Sequence, residues 1–510
     1  MITRRQMFRA CAAAPDCLFA REQTQQPQLS LGNECLDATY RAAIETLRRN
    51  MHTVANFPRP VLFEGAEYGG VWLECAPLEG LVYEPLSPPV ACNNHDIFFN
   101  LQREDGYLPY AVKTDRIGSS QIQMAVPIAA TAFELYRRNR DAAFLERAYA
   151  AAKYWDAWLL RYRNTRGTGL CEAFCAYDTG QDGSPRFAGK PNRCREGDAR
   201  LCPNVPGLPY LAPDLSASVY GGRIALAAIA REMGREREAS RWLEAAEQVR
   251  RAILEQLYDT QDCAFYDRDA SDRFVRIRSV AILRVLGEHV PDQPLFEQIY
   301  RAQIKNEHAF WAPYPFPSIA LNDRAFVRPI PRNSWGGASQ ALTALRAPRW
   351  MEHYGKYADF THLMKRWTEA IARAGGFLQQ VDPESGEFTP AQRGYSPAAL
   401  VFFDFAWRLY GVRWQGDEFE WNCRLPADSK LCVSRVKSAE LRTNETSSRL
   451  FFHGKCIAEV KGEARLITSS DGRALRLVGT APAAARVVLR HSGSEREYLL
   501  RSDQTLQIHA

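Results

Sequence analysis

Thr165-Arg-Gly-Thr-Gly-Leu-Cys-Glu-Ala-Phe-Cys-Ala-Tyr-Asp-Thr-Gly-Gln-Asp-Gly-Ser-Pro-Arg-Phe187 is the stretch on which the reading of this chain turns. It sets Glu172, Asp178 and Asp182 on one aromatic loop punctuated by glycines. Taken alone, two carboxylates spaced like Asp178 and Asp182 read as solvated loop charge. Here Tyr177 and Phe187 flank the pair, and Gly180 and Gly183 let the backbone turn tightly around Asp182. Pro185 and Arg186 fix and charge-balance the exit. Such surroundings hold a carboxyl group partly desolvated with a raised pKa, as a general acid requires.

On both sides of this loop the chain reads as paired helices, from about Leu36 to Val412. Leu145, Ala148, Tyr149, Ala152, Trp155 and Leu159 recur at helical spacing. So do Ala239, Trp242, Leu243, Ala246, Val249, Ile253 and Leu257, and Phe360, Leu363, Met364, Trp367 and Ile371. Each stripe is core packing. Between them run long segments rich in Gly, Pro, Asp and aromatics: 56–83, 167–213, 307–335 and 375–397. Loops of that length are uncommon in compact domains unless they carry function. Rigid helices bearing such loops suit a helical toroid with one face given over to a site. After about Gly416 the texture changes to short β-branched or alternating runs, among them Arg449-Leu-Phe-Phe-His, Cys456-Ile-Ala-Glu-Val, Ala474-Leu-Arg-Leu-Val and Arg486-Val-Val-Leu-Arg. Turns at Ser470-Asp471-Gly472 and Ser492-Gly493-Ser494 separate them. The expected organisation is a helical domain over 35–415 and a β-rich accessory domain over 416–510.

Composition agrees with a soluble globular chain: of 510 residues, 46% are hydrophobic and 24% charged. No apolar run is long enough to span a bilayer, so no membrane partner is expected. The net charge of +6 comes without a dense Lys/Arg block, which argues against a nucleic-acid partner. Thr3-Arg4-Arg5-Gln6-Met7-Phe8 precedes a short apolar stretch ending at Phe19-Ala20 and reads as a twin-arginine export signal over 1–20, although Pro15 and Asp16 interrupt its core. A periplasmic or secreted protein is the expectation, and a cytoplasmic one if the leader is not a signal. Of thirteen cysteines, Cys11 and Cys17 would leave with the leader. A local disulfide between Cys194 and Cys202 is plausible in their Pro/Asn/Arg-rich loop, and Cys171 and Cys175 lack the neighbouring histidine pair of a zinc site. No metal and no cofactor are expected.

Tyr177-Asp-Thr-Gly-Gln-Asp-Gly-Ser-Pro-Arg186 resembles the "(W/Y)ESGxDNSPR" loop of the trehalase-like six-hairpin glycosidases, nearest to glycoside hydrolase family 63 and the mannosylglycerate hydrolases. Other segments resemble theirs in the same order. Gly70-Val-Trp-Leu-Glu74 stands where they carry a Trp and an acid, and Leu101-Gln-Arg-Glu-Asp-Gly-Tyr-Leu-Pro109 resembles their "Q..DG.(I/L)P" turn. Asp214-Leu-Ser-Ala217 resembles "DLNA", Trp311-Ala-Pro-Tyr-Pro-Phe-Pro-Ser318 resembles "FW.PYP.PS", and Asn333-Ser-Trp-Gly-Gly337 stands near "WRGP". The likeness spans roughly 56–409. It implies a mainly α (α/α)6 toroid, an inverting mechanism on a small glucosyl- or mannosyl-type carbohydrate substrate, and Asp182 as general acid.

Inversion needs a second carboxylate to activate water on the opposite sugar face. In the relatives this is a Glu three residues before an Asp. Here the loop is Gly376-Phe-Leu-Gln-Gln-Val-Asp-Pro383, and Gln379 occupies the position. An amide cannot take that proton. Three readings stay open: Glu387 of Ser385-Gly-Glu-Phe is the base, matching a further acidic position of the trehalase loop; phosphate is the nucleophile, as in related phosphorylases; or the protein binds sugars without cleaving them. Asp382 and Glu384 look like turn formers beside Pro383.

Trp72, Trp311, Tyr314, Trp335 and Tyr395 are candidates to stack on pyranose faces, with Glu74, Gln121, Asp178 and Arg186 for hydroxyls and Tyr177 beside the acid. His95, His308, His353 and His362 read as packing or surface residues, and Glu352 as solvated. A terpene-cyclase reading lacks the Asp-x-Asp-Asp motif, and neither a phosphate loop nor a Gly-x-Ser-x-Gly elbow is present.

Overall fold

The structure, a computed structural model, describes residues 26–469 and 475–508. The twin-arginine stretch, Cys11, Cys17 and the Ser470–Gly472 turn lie outside the described residues.

Among the described residues are twelve α-helices: α1 (Glu34–Arg49), α2 (Ala76–Tyr83), α3 (Pro88–Asn100), α4 (Ile128–Asn139), α5 (Ala142–Tyr162), α6 (Pro213–Glu232), α7 (Glu236–Gln256), α8 (Ala281–Gly287), α9 (Gln293–Ile299), α10 (Ala341–Met351), α11 (Tyr357–Ala374) and α12 (Ser396–Tyr410). Their ends follow from local chemistry. Asn33 caps α1 by accepting from the Leu36 N–H, and Glu34 and Asp37 in the first turn with Arg48 and Arg49 in the last complement its dipole. Asp141 caps α5 in the same way, and α11 ends at Gly375, whose φ of +59° reverses the chain.

The alternate helices α2, α4, α6, α8, α10 and α12 each pack on the next, and α12 packs back on α2. Every residue of α12 is buried, its Asp404 and Arg408 paired with each other, as befits an inner helix. The expected stripe of α5 is buried, from Leu145 to Leu159. In α7 the seam toward α6 is narrow and carried by Ala239, Ala246, Val249 and Ile253. Leu243, expected in the core, lies at the margin of that seam and is 38% exposed. The 56–83 segment, read from sequence as a loop, contains a strand at Phe57–Leu62, another at Gly70–Trp72, and α2 itself. From Ala76 to Leu81 α2 is buried without a break, so it shows no 3.6-residue alternation to read.

The C-terminal part is all antiparallel β: a seven-stranded and a five-stranded sheet around a core that includes Trp421, Leu441, Leu450, Val460, Leu466, Leu477 and Val487. The runs near Arg449, Cys456, Ala474 and Arg486 form strands Ser448–Phe452, Lys455–Lys461, Leu475–Val478 and Ala485–His491. The last turns back through Ser492 and Gly493, both at positive φ, as a tight hairpin demands. One edge of the larger sheet is the strand Gln28–Ser30, paired antiparallel with Leu431–Val436. No helix of the described residues is long and apolar enough to cross a membrane.

Candidate active site

The Asp182 loop is built from two 3-10 turns. The first, Ala176–Thr179, is capped at its start by Cys175 and closed by Gly180 at φ +67°; the second is Pro185–Phe187. Asp178 is the peg that holds it. Its carboxylate accepts from the main-chain N–H of Ile122 (2.8 Å), Phe174 (2.7 Å) and Cys175 (3.2 Å), and from the Arg163 guanidinium at 2.5 Å. Arg186 is equally engaged, clamped between Asp214 (2.8 Å) and Asp267, with Gln181 at 3.0 Å. Glu172 accepts from Thr165 N–H and hydroxyl, both at 2.8 Å. Asp178 and Arg186, proposed from sequence for substrate hydroxyls, are therefore fully buried in loop-forming contacts.

Asp182 keeps its side chain for the site. Its carbonyl accepts from the Trp335 N–H at 2.9 Å, which ties the loop to the 333–337 segment. Burial and the neighbouring Glu74 carboxylate push its carboxyl up to about 7, against the pull of the Arg193 guanidinium. Glu74 sits just ahead of α2 and accepts from Arg284 and Arg346, each at 3.0 Å. Arg284 also donates to the Thr179 carbonyl and lies over the Trp335 ring. The charge that raises Asp182 is thus itself held by two cations.

Opposite, a chain of polar contacts links segments far apart in sequence. The Tyr395 hydroxyl donates to Glu64 at 2.8 Å, the Tyr68 ring packs on Tyr395 and edge-on to Trp72, and the Tyr68 hydroxyl donates to Gln379 Oε1 at 3.2 Å. Gln379 Nε2 in turn donates to Asn333 Oδ1 at 2.7 Å. Burial pushes the Glu64 carboxyl up to about 8; the Tyr395 hydroxyl opposes the rise, and Glu74 and Asp182 add to it. The rise favours the protonated form of Glu64.

The structure brings together Glu74, Asp182, Trp335, Gln379 and Tyr395, with Trp72 and Tyr177 half-buried at their edge. Lys113 lies 5.1 Å from the Trp72 ring centre. Other candidates stand elsewhere. Trp311 is buried beside His362 and Lys305. Tyr314 packs against Gly386 and bonds Arg373. Gln121 is buried and accepts from the Ser120 hydroxyl at 2.6 Å. Glu387 is exposed; its main chain bonds Asp382 and Ser385, and no contact joins it to Asp182 among the described residues. Asp382 caps the turn through the N–H groups of Glu384 and Ser385. Sequence reasoning passes over Glu64, Tyr68, Arg284, Asn333 and Arg346. A carboxylate closing the apolar run Val61-Leu-Phe-Glu64 is the available signal. The group of side chains close enough to share a metal ion, Cys175, Asp178 and Cys194, lies behind the Asp182 loop.

A closed succession of inner helices carries the loop on which Asp182 stands. A family model described as mannosylglycerate hydrolase MGH1-like glycoside hydrolase domain matches residues 81–421, and the chain belongs to that family. It is a glycosidase by that membership. Among solved structures, the glycoside hydrolase family 63 mannosylglycerate hydrolase of Thermus thermophilus superposes with a TM-score of 0.59 at 18% identity, over 72% of this chain and 100% of that one. Neutral trehalase from Saccharomyces cerevisiae gives 0.54 at 14% identity, over 72% and 79%. A family 78 rhamnosidase of a Bacillus species gives 0.56 at 12%, over 88% of this chain and 42% of that one. No curated protein matches the chain.

Proposed function

We propose that the chain is an inverting glycosidase folded as an (α/α)6 toroid, with Asp182 as general acid toward a small glucosyl- or mannosyl-type glycoside. The observation that carries this reading is the position of Asp182, its carbonyl tied to Trp335 and its carboxyl pushed up by burial and Glu74, on a loop that Asp178 and Arg186 hold in place. A carboxylic acid that stays protonated near neutrality delivers its proton to the departing glycosidic oxygen as the bond breaks. Trp72 and Tyr177, half-buried beside it, serve as stacking surfaces for the sugar. For the base we propose Glu387, on its match to a further acidic position of the trehalase loop; its exposed side chain lies outside the contacts that gather Asp182, Trp335 and Gln379, so the 376–397 loop has to bring it in. The Arg4-Arg5 leader supports an exported location.

Gln379 favours a second reading. Fixed by Tyr68 and Asn333 where relatives place their base, it offers no carboxylate, and the Arg193 guanidinium is near enough to Asp182 to act on its charge and to attract an anion. Inorganic phosphate needs no carboxylate to activate it.

Hydrolysis of aryl and disaccharide glucosides and mannosides by the wild type and by Asp182→Asn, with the product anomer followed by NMR, tests both readings. Full activity in Asp182→Asn sinks the acid assignment, and a product of retained configuration sinks the inverting mechanism. Cleavage that requires inorganic phosphate and releases a glycosyl phosphate selects the second reading. Sugar binding without cleavage identifies a lectin-like protein.

A further inference from the structure

We propose that Cys175 and Cys194 form a dithiol–disulfide couple that locks the loop bearing Asp182. Their sulfur atoms stand 3.9 Å apart, both buried against Phe174. The main chains on which they sit already run side by side, through Ala176 N–H to the Pro191 carbonyl at 2.9 Å and Tyr177 N–H to the Asn192 carbonyl at 3.1 Å. To bond, the sulfurs must close from 3.9 Å to about 2.05 Å. The segment that the bond would enclose, 176–193, contains Asp182.

The chemistry around the pair favours sulfur–sulfur bonding over a metal. Asp178, the third member of the group, is saturated by three main-chain N–H groups and by Arg163. The same guanidinium lies 3.5 Å from Cys194 Sγ, and a buried cation there repels a divalent ion. Cys194 is the attacking thiol because solvent reaches the segment that carries it. Both neighbours of Cys194, Arg193 and Arg195, are exposed, so local opening of a surface loop uncovers it. The partner expected from sequence, Cys202, instead directs its thiol to the Pro203 carbonyl.

The oxidant is a disulfide, for which oxidised glutathione stands in. The Cys194 thiolate attacks one glutathione sulfur, the S–S bond breaks, and one glutathione thiolate leaves. Cys175 then gives up its proton, its sulfur attacks the mixed disulfide at Cys194, and the second glutathione departs. The protein loses two protons and two electrons, and one oxidised glutathione becomes two reduced molecules.

The test uses the full chain, incubated with oxidised glutathione, alkylated, digested without reduction and mapped by mass spectrometry. The expected result is a cross-linked peptide joining Cys175 to Cys194, reversed by dithiothreitol, absent in Cys175→Ser and Cys194→Ser and kept in Cys202→Ser. Proteolysis within 188–198 should slow by about tenfold or more in the oxidised form. Cys194 found bridged to Cys202, Cys194 left as a stable glutathione adduct, or stoichiometric zinc that Cys175→Ser removes would each overturn the proposal. The wild-type map decides even where a serine variant fails to fold.

Discussion

The carboxylate of Glu74 fills the space in which a β-carbon on Gly180 would have to lie. Gly180 also sits at φ +67° and closes the 3-10 turn that leads to Asp182, so this glycine is required twice, for conformation and for room. Gly180→Ala should displace Glu74 from Arg284 and Arg346 and destabilise the fold by about 3 kcal/mol, with a fall in activity beyond what stability explains. Thermal melts and glycoside turnover on the folded fraction measure the two effects separately.

Asp182→Asn should lower kcat/KM by about 10²–10⁴-fold on substrates with poor leaving groups, and far less on those that depart without a proton. Because the acid must be protonated, wild-type activity should fall as pH rises through about 7. The linkage sign is also fixed. A carboxyl raised in the folded state binds its proton more tightly there than in the unfolded chain, so stability is lost as pH climbs from the ordinary carboxylate range to about 7. Asp182→Asn removes that loss, and its melting temperature should exceed the wild type's at pH 8 but not at pH 4. Equal melting temperatures at both would show that the carboxyl is not raised.

Gln379→Glu places a carboxylate where the relatives carry their base. The Tyr68 hydroxyl is already aimed at Oε1, and Asn333 needs only to turn its amide to present Nδ2. Hydrolysis should rise by at least about tenfold. An unchanged or lower rate would mean that another group, Glu387 first, already activates the water.

Arg186→Met strips the cation from between Asp214 and Asp267 and should cost about 3–5 kcal/mol at neutral pH. The deficit should shrink in acid, as the two stranded carboxyls take up protons, and Asp267→Asn should partly rescue it. Denaturant titrations at pH 5 and pH 7.5 test this; a variant that binds sugar weakly at full stability would return Arg186 to the substrate.

The parts of the site legible in the sequence are those written in one stretch. The glycines, proline and acids of 177–186 specify their own turn, so Asp182 is readable without its neighbours. Asp178 is readable as a carboxylate but not as a structural one, because Arg163 and Ile122, which consume it, stand outside the loop's own text. Glu64, Tyr68 and Asn333 gain meaning only when Gln379 and Tyr395 meet them, and for Glu64 and Tyr68 those partners lie more than 300 residues away. Helices with one wet face announce themselves by period; α2, buried along nearly all its length, does not. Spacing alone pairs Cys194 with the nearer Cys202, while the fold brings it to Cys175 across a reversed, extended segment.

The strand Gln28–Ser30 is among the first described residues to leave the ribosome, yet its partner Leu431–Val436 follows only after all twelve helices of the described residues. Its ladder cannot form until about 400 residues of helix and loop have been made between them. A pairing of such sequence separation raises contact order, which slows folding. Loss of Gln28–Ser30 should disturb the seven-stranded sheet, and loss of Thr505–Ile508 the five-stranded one.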